Sequence, residues 1–487
     1  MSDQVERSLR SFGGQLPRRV SLPGEDGYAA ATAIWAKPVG PMPRAIVHCR
    51  TTEDVQLAIR AARDCRLPLS VRGGGHDWAA RALCAGIVID LSGMSGVSVN
   101  ADHRSAIISG GARAADVAAA TDPLHVAAVT GTCSGVGMAG LTLGGGYGPL
   151  IGRFGLALDN LLAAEVVLAD GRVVVADEAN EAELFWALRG GGGNFGVVTA
   201  IRCRLHDVPN IRTGLLVYPF AEAGAVLRCS GDIAASSPED LTVQFGCIGG
   251  PDGKPVVMVL PTWCGAPADG EARVAPFLKL GTPLAGNLEA MSYGTSLTLF
   301  DPYIVNGQRV FMDTCWLPAL DSAGIDVFVE AMDTAASAQC AVFTHEFKGA
   351  ASRVPAHATA FGLRCDHVLV EILATLFDRS NKKEEQRHRQ WARATRQAFS
   401  PIALPGGYPN FLVAEDADRV AKSYGANAER LIAAKRRYDP DNVFRSAIPL
   451  PAADAGPPDP ALSRPALYPA IGRSSSRAAG KRCRTRS

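Results

Sequence analysis

Two glycine-rich segments, each with one nucleophilic side chain, constrain this chain more than any other feature. The first is Arg72-Gly-Gly-Gly-His76-Asp77, and the second is Gly131-Thr-Cys133-Ser-Gly-Val-Gly137. Because glycine has no Cβ, the backbone N–H groups of such segments can converge on an anion or lie flat against a planar ligand. The imidazole of His76 and the thiol of Cys133 could each form a bond to that ligand. The two segments therefore predict a site for a phosphate-bearing cofactor.

Composition excludes several classes of partner. The chain has 487 residues, 47% of them hydrophobic, which is enough for two or three domains. Its formal net charge is +1, without the basic stripe that nucleic acid or anionic lipid requires. Residues 1–15 do not resemble a signal peptide and no run of eighteen apolar residues occurs, so we expect a cytoplasmic protein without a membrane partner. Twelve scattered cysteines without zinc spacing predict no metal site.

Hydrophobic periodicity places the first glycine segment at the end of a strand. Residues 44–49 are typical of a strand, and a helix capped by Thr51 or Thr52 follows over Glu53–Arg66. A second strand, Leu69–Arg72, runs directly into the glycines. Open α/β layers usually bind ligands at the carboxyl ends of such strands.

The patterns divide the chain into four parts. Residues 1–210 form one domain, residues 211–404 a second without cofactor-type loops, residues 405–450 a segment returning to the first, and residues 451–487 a disordered tail. In the second domain the patterns predict strands at Val256–Leu260, Thr359–Arg364 and Val368–Leu373, and helices at Asp321–Ala338 and Lys382–Phe399.

The second glycine segment also contains a nicotinamide-type pattern. Gly135–Gly140 matches G-x-G-x-x-G, and Asp159 lies downstream at a distance suited to a ribose-binding acid. In a dinucleotide fold this pattern directly follows the first strand of a βαβ unit, whereas here it follows loop-like residues 130–134. A nicotinamide-dependent dehydrogenase is therefore an alternative interpretation.

Further motifs point to a family. They are Leu143-Gly-Gly-Gly-Tyr147-Gly, Gly192-Gly-Asn-Phe-Gly-Val-Val198, Tyr408-Pro-Asn410 and Lys435-x-x-Tyr-Asp-Pro-x-Asn-x-Phe444. With the first two segments they closely resemble the PCMH-type FAD-binding domain of the vanillyl-alcohol oxidase superfamily and, more narrowly, the berberine bridge enzyme-like oxidases. The resemblance implies an α+β fold: a two-subdomain FAD-binding domain and an α/β substrate domain whose antiparallel sheet covers the flavin.

The same resemblance implies how FAD is held. His76 would be bonded to the 8α-methyl carbon of the isoalloxazine and Cys133 to its C6. Both bonds would withdraw electron density, which makes the flavin a stronger oxidant, and both would hold the ring in an open pocket. The remaining cofactor-binding residues implied by the resemblance are Arg72, Gly73, Gly74, Gly75, Asp77, Gly131, Thr132, Val136, Gly137, Gly140, Gly145, Gly196, Val198 and Asn410.

The resemblance also implies a reaction. A small alcohol, amine or phenolic compound would give a hydride to the flavin, and O2 would take the electrons and form H2O2. A flavin dehydrogenase that uses another acceptor and a catalytically silent flavoprotein are alternatives. Substrate identity and oligomeric state stay open.

The substrate proton needs an acceptor, and the sequence offers four candidates. Tyr147 and Tyr408 match active-site tyrosines of relatives, although either could simply pack on the flavin. The position that is often a tyrosine in the family is Phe411 here, which has no acid or base function. His367 and Glu371 share one face of a predicted strand by its period of two, and this face lies toward either the substrate cavity or solvent.

Overall fold

The computed structural model describes residues 12–14, 16–37, 42–376 and 381–452. The predicted disordered tail lies almost entirely outside the described residues, as do residues 1–11. Within the described residues the strands form four groups.

The first group is a four-stranded sheet that ends at the first glycine segment. Its strands lie in the order β1-β2-β4-β3, with β2 and β3 each parallel to β4 and β1 antiparallel to β2. Their bounds, with the two accompanying helices, are β1 Val20–Ser21, α1 Asp26–Thr32, β2 Ala45–His48, α2 Thr52–Asp64, β3 Leu69–Arg72 and β4 Ile87–Asp90. Thr51 caps α2 through a reciprocal capping box with Asp54, which confirms the predicted helix start. Because β3 ends at Arg72, the glycines leave the sheet where the sequence predicts.

A five-stranded antiparallel sheet, in the order β5-β6-β10-β8-β9, and a two-stranded ribbon of β7 and β11 follow. The bounds are β5 Val97–Val99, β6 Ser105–Ser109, α3 Ala114–Thr121, β7 Val126–Ala127, α4 Met138–Gly144, α5 Ile151–Phe154, β8 Leu161–Val167, β9 Val173–Ala176, α6 Ala182–Gly191, β10 Val197–Arg204 and β11 His206–Asp207. The strand before Gly135–Gly140 is thus part of an antiparallel ribbon. The βαβ unit that the nicotinamide alternative requires is not formed there.

The fourth group is an eight-stranded antiparallel sheet in the order β16-β12-β15-β14-β18-β19-β17, with β13 beside β15. The bounds are β12 Ile211–Thr213, β13 Leu216–Pro219, α7 Ala223–Ser236, β14 Leu241–Gly249, β15 Pro255–Trp263, α8 Gly270–Val274, β16 Glu289–Met291, α9 Tyr293–Ser296, β17 Arg309–Leu317, α10 Ser322–Asp333, β18 Cys340–Phe347, α11 Ala350–Arg353, β19 His367–Leu376 and α12 Lys382–Phe399. Helices α7, α10 and α12 cover one face, where Phe328, Val370 and Phe399 share a core. The opposite face packs against Tyr147 and its neighbours in the N-terminal part of the chain, through a cluster that includes Trp316 and Leu369.

One predicted strand is wrong, and one predicted helix is too long. Residues 359–364 form no strand, because the backbone N–H groups of Ala360 and Phe361 bond to the carbonyls of Trp186 and Arg189 at the end of α6 instead of a neighbouring strand. The helix predicted to reach Ala338 ends at Asp333. The predicted strands around Val256 and Val368 and the helix Lys382–Phe399 are confirmed.

The C-terminal part returns to the first sheets through α13 Ala417–Tyr424 and α14 Ala428–Tyr438. Arg430 forms an ion pair with Glu183 of α6, and the Tyr438 hydroxyl donates to Glu181 at 2.9 Å. Lys435 Nζ donates to the carbonyl oxygens of Asn194 and Phe444, at 2.8 and 2.9 Å. These bonds fix the chain that closes one end of the cavity described next.

Candidate active site

A cavity of about 310 Å³ lies between the glycine segments and the eight-stranded sheet, at the small end of the range usual for ligand sites. Most of the predicted site residues line it. They are Gly73, Gly74, Gly75, His76, Asp77, Gly131, Thr132, Cys133, Val136, Gly137, Gly140, Tyr147, Gly196, Val198, Glu371, Tyr408 and Asn410. Three predicted residues are not among its lining: Arg72, Gly145 and His367.

The two glycine segments cross with their backbones in contact. A Cβ placed on Gly74 would lie 2.5 Å from the Cα of Gly137, and one placed on Gly137 would lie 2.5 Å from the nitrogen of Gly74. Backbone cannot give way as a flexible side chain would, so only glycine fits at both positions. The crossing gives the cavity a floor of backbone atoms, which suits a planar ring and a phosphate group.

His76 enters the cavity with its ring stacked on Trp35. The ring centroids are 4.5 Å apart and the planes differ by 5°. Burial lowers the pKa of His76 to about 4, and this effect exceeds the opposing attraction of Asp77. The imidazole is therefore neutral at physiological pH, which is the form that acts as a nucleophile.

Cys133 is half-buried and lines the same cavity as His76. Burial raises the pKa of its thiol to about 12, so the sulfur keeps its proton until a ligand or base changes its surroundings. The neighbouring Ser134 fixes the segment: its hydroxyl donates to the Asp301 carboxylate at 2.6 Å, and its N–H donates to the Leu297 carbonyl at 2.9 Å. The cysteine is thus held by residues that follow β16.

Arg72, predicted as a cofactor-binding residue, lies outside the cavity lining. Its guanidinium is buried and forms an ion pair with Asp90 of β4, with 3.3 Å between Nη1 and Oδ1. It supports the strand end below the glycines and does not line the cavity. Arg81 does line the cavity, and its Nε donates to the Asp77 carboxylate at 2.9 Å.

Tyr147 and His367 form a buried pair. His367 Nδ1 lies 2.8 Å from the Cys365 carbonyl oxygen, which can only accept, so Nδ1 carries the hydrogen of the neutral ring. His367 Nε2 therefore accepts from the Tyr147 hydroxyl at 2.7 Å. Burial lowers the pKa of His367 to about 3 and raises that of Tyr147 well above its ordinary value. Because His367 lies behind Tyr147 and outside the cavity lining, it positions the tyrosine.

Tyr408 is held by two donors to its hydroxyl oxygen. The Gly146 N–H lies 2.9 Å away and the Asn410 amide 2.8 Å away. Burial raises the pKa of Tyr408 despite these bonds, so its phenol stays protonated. A Cβ on Gly145, where φ is +151°, would lie 2.8 Å from the Tyr408 ring, so Gly145 acts by admitting this ring rather than by lining the cavity.

Glu371 lines the cavity beside a histidine that the predicted site omits. His345 Nε2 donates to Glu371 Oε2 at 3.1 Å, and the Glu371 residue is only 8% exposed. The solvent-facing alternative for this face of β19 is therefore wrong. His345 is directly cross-strand from Leu369, and its alternation with Phe343 and Phe347 was the sequence signal that could have found it.

Other residues that line the cavity could not be predicted from the sequence, because distant parts of the chain supply them. Trp35 and Met312 both line the cavity, although they lie far apart in the sequence. Trp78 follows the first glycine segment, and its indole N–H is buried without a hydrogen-bond partner in the described part of the chain. An unpaired buried donor beside a cavity favours a polar ligand there.

Comparisons with known proteins now bear on this geometry. A family model described as "FAD binding domain" matches residues 43–177, and one described as "Berberine and berberine like" matches residues 407–451. The FAD-linked oxidoreductase YvdP of Bacillus subtilis is 30% identical over 447 residues, which cover 90% of this chain and 98% of YvdP. The chain belongs to the berberine bridge enzyme-like family of FAD-linked oxidoreductases. Its cofactor is FAD.

Other members agree with this assignment. The (R)-6-hydroxynicotine oxidase of Paenarthrobacter nicotinovorans is 30% identical over 444 residues, covering 88% of this chain and 95% of that protein. The crystal structure of 6-hydroxy-D-nicotine oxidase from Arthrobacter nicotinovorans matches with a TM-score of 0.77 and 27% identity, over 88% of this chain and 97% of that one. BBE-like 1 of Physcomitrella patens, at a TM-score of 0.81 and 24% identity over 92% of this chain and 99% of that one, shares the fold. The predicted fold class, with an antiparallel sheet over a PCMH-type FAD-binding domain, is confirmed.

The cavity fits FAD by its own chemistry. A backbone floor that a Cβ would fill, a neutral imidazole, a thiol and an unpaired indole donor meet in one place. Within the described residues, no three His, Cys, Asp or Glu side chains are grouped to hold a metal ion. No helix in that part of the chain has the length and apolar character to cross a bilayer.

Proposed function

We propose that this chain is an oxidase with FAD bonded to both His76 and Cys133. It oxidises an alcohol, amine or phenolic small molecule and passes the electrons to dioxygen, giving hydrogen peroxide. The observation that carries the proposal is that His76, Cys133 and Glu371 line one cavity. The (R)-6-hydroxynicotine oxidase relative, named an oxidase, adds support.

When bound, FAD accepts a hydride from a substrate C–H bond and returns two electrons to an acceptor. The chain must take up the proton that leaves the substrate oxygen or nitrogen. Two carboxylates line the cavity among the described residues, Asp77 and Glu371. Arg81 donates to both carboxylate oxygens of Asp77, whereas His345 donates to one oxygen of Glu371 and orients that carboxylate, so Glu371 is the proton acceptor.

The two tyrosines have other roles. Tyr147 and Tyr408 stay protonated, since burial raises the pKa of both hydroxyls. Their rings, 4.9 Å apart and inclined at 67°, shape the wall next to Glu371. Phe411 packs edge-on against Tyr408 at 5.0 Å. This wall excludes water and orients an apolar substrate without supplying a second base.

The acceptor can be tested without knowing the substrate. The purified flavoprotein is reduced anaerobically with light and a sacrificial donor, then mixed with O2 in a stopped-flow instrument. Reoxidation within seconds is expected for an oxidase. Reoxidation over minutes would contradict the proposal and favour a dehydrogenase.

The attachment is tested by acid precipitation. Yellow flavin should stay with the precipitate in the wild type and in the single variants His76→Ala and Cys133→Ala. It should leave in the double variant, because no linkage remains. Cys365→Ala, at an exposed cysteine outside the cavity lining, is the matched control and should behave as the wild type. Flavin that leaves the wild-type precipitate would show that neither bond exists.

A further inference from the structure

The Trp35 indole stacks on the His76 imidazole. Trp35 lies outside the motifs described above and outside the residues that the family models match. The matched FAD-binding region begins at residue 43. Trp35 is only 8% exposed and lines the cavity. Its indole and the imidazole are stacked almost parallel, at 5° and 4.5 Å.

The segment carrying Trp35 is fixed on both sides. The Trp35 N–H donates to the Gly75 carbonyl at 2.9 Å, so the tryptophan is tied to the residue before His76. On its other side, the Gly307 N–H donates to the carbonyls of Ile34 and Trp35 at 2.9 and 3.0 Å. The indole itself packs against Val310 and Met312 of β17. The stacked ring is thus held between the first glycine segment on one side and Gly307 and β17 on the other.

A stacked neighbour restricts the orientation of an imidazole. His76 can turn about its side-chain torsions, and bond formation needs a ring nitrogen aimed at one carbon atom. Restricting reactants to a productive geometry accounts for a large part of the rate of such steps. The indole face restricts the tilt of the imidazole plane and leaves its nitrogen edges free.

We propose that Trp35 is a positioning residue for the covalent attachment of FAD: it holds the His76 imidazole in the plane required for bonding to the 8α-methyl carbon. This inference rests on the proposed attachment through His76. In the overall step, His76 loses hydrogen from a ring nitrogen and the methyl group loses one hydrogen as the N–C bond forms. The two electrons and two protons pass to dioxygen, which becomes hydrogen peroxide.

The experiment measures linkage rather than turnover. All variants carry Cys133→Ala, so that any retained flavin reports on His76 alone. Apoprotein is mixed with FAD under air, and the fraction of flavin that resists acid denaturation is followed over time, together with total bound FAD before acid. We expect Trp35→Leu to bind FAD yet link it about tenfold more slowly or worse, and Trp35→Phe, which keeps a stacking ring, to stay within about threefold of the parent.

Each variant can overturn the proposal. A leucine variant that links FAD at the parent rate would do so, as would a phenylalanine variant that binds FAD but fails to link it. The second outcome keeps the test decisive if the leucine variant does not fold. Trp391→Leu, which removes a buried tryptophan of α12 outside the cavity lining, is the control and should link at the parent rate. If the Cys133→Ala parent itself links no flavin, the proposed His76 bond fails instead.

Discussion

The glycine end of the cavity is built from backbone, whereas the sheet end is built from side chains. At the glycine end, Gly74 and Gly137 meet so closely that no other residue fits. At the sheet end, His345, Leu369 and Glu371 project from neighbouring strands, and only the strand register decides which of them reach the cavity. A backbone surface can recognise a constant cofactor, while a side-chain surface can change with the substrate. The following predictions test this division from the largest expected effect to the smallest.

The first prediction concerns the sheet end. Glu371→Gln removes the proposed proton acceptor but keeps its size, so flavin reduction by substrate should slow by about 10²-fold or more. FAD content should not change, because the cofactor is held at the other end. The rate is measured by anaerobic stopped-flow with a substrate found by screening for peroxide release. Glu239→Gln, at a carboxylate paired with Arg353 outside the cavity lining, is the control; equal rates for the two variants would remove Glu371 from the mechanism.

The second prediction breaks the glycine end. Gly74→Ala forces two backbones apart, and overpacking of this kind costs about 1–3 kcal/mol of unfolding free energy. We expect a lower Tm and weaker FAD binding, measured by thermal unfolding and by flavin content. Gly135→Ala is the matched control, since Gly135 lies in the second glycine segment and a Cβ there would meet no atom within 4 Å. Equal losses in both variants would show that the crossing is not what requires glycine.

The third prediction concerns the pair behind the wall. Tyr147→Phe leaves the buried Nε2 of His367 without its donor, which should cost about 1–3 kcal/mol of stability. The free energy of unfolding of the apoprotein gives the answer. Tyr303→Phe, at a tyrosine that is 62% exposed, should be neutral. A Tyr147→Phe variant as stable as the parent would mean that the hydrogen bond contributes nothing.

The smallest expected effect is in pH dependence. Because burial lowers the pKa of His76 to about 4, its neutral form dominates at every pH above that value. The rate of FAD attachment in the Cys133→Ala background should thus be nearly equal at pH 5.5 and pH 8. A histidine with the ordinary pKa of about 6.5 would lose about tenfold at the lower pH. A tenfold decrease would show that His76 is solvated before FAD binds.

The two ends also differ in how well the sequence predicts them. The first glycine segment could be located because a local pattern, the strand Leu69–Arg72 followed by three glycines, predicts both the strand end and the loop. The sequence groups Arg72 with the cofactor-binding residues, but it does not show that Asp90 of a neighbouring strand holds the Arg72 guanidinium outside the cavity lining. At the sheet end, period two identified the face of Glu371 but not whether solvent or protein covers it.

Long-range packing explains the remaining differences. Residues 359–364 are predicted as a strand from their composition, yet they bond to the end of α6, which no local pattern reveals. Trp35 joins the site because Gly75 on one side and Gly307 on the other hold its segment in place, and these long-range bonds leave no local pattern in the sequence. The family resemblance predicted the cofactor and its attachment, which periodicity cannot do. It gave no prediction for residues outside the family motifs, such as Trp35.

The hydrogen bonds from residues 293–308 to the second glycine segment and to the Trp35 segment have a consequence for protein engineering. Tyr293 shares a hydrogen bond with Thr130, Asp301 accepts from Ser134, and Gly307 donates to the Ile34 carbonyl. A chimaera that imports the sheet of a relative to acquire its specificity would also replace the supports of the flavin-bonding side chains. Such grafts should retain residues 293–308 of this chain, so that a new substrate preference does not come with an unattached cofactor.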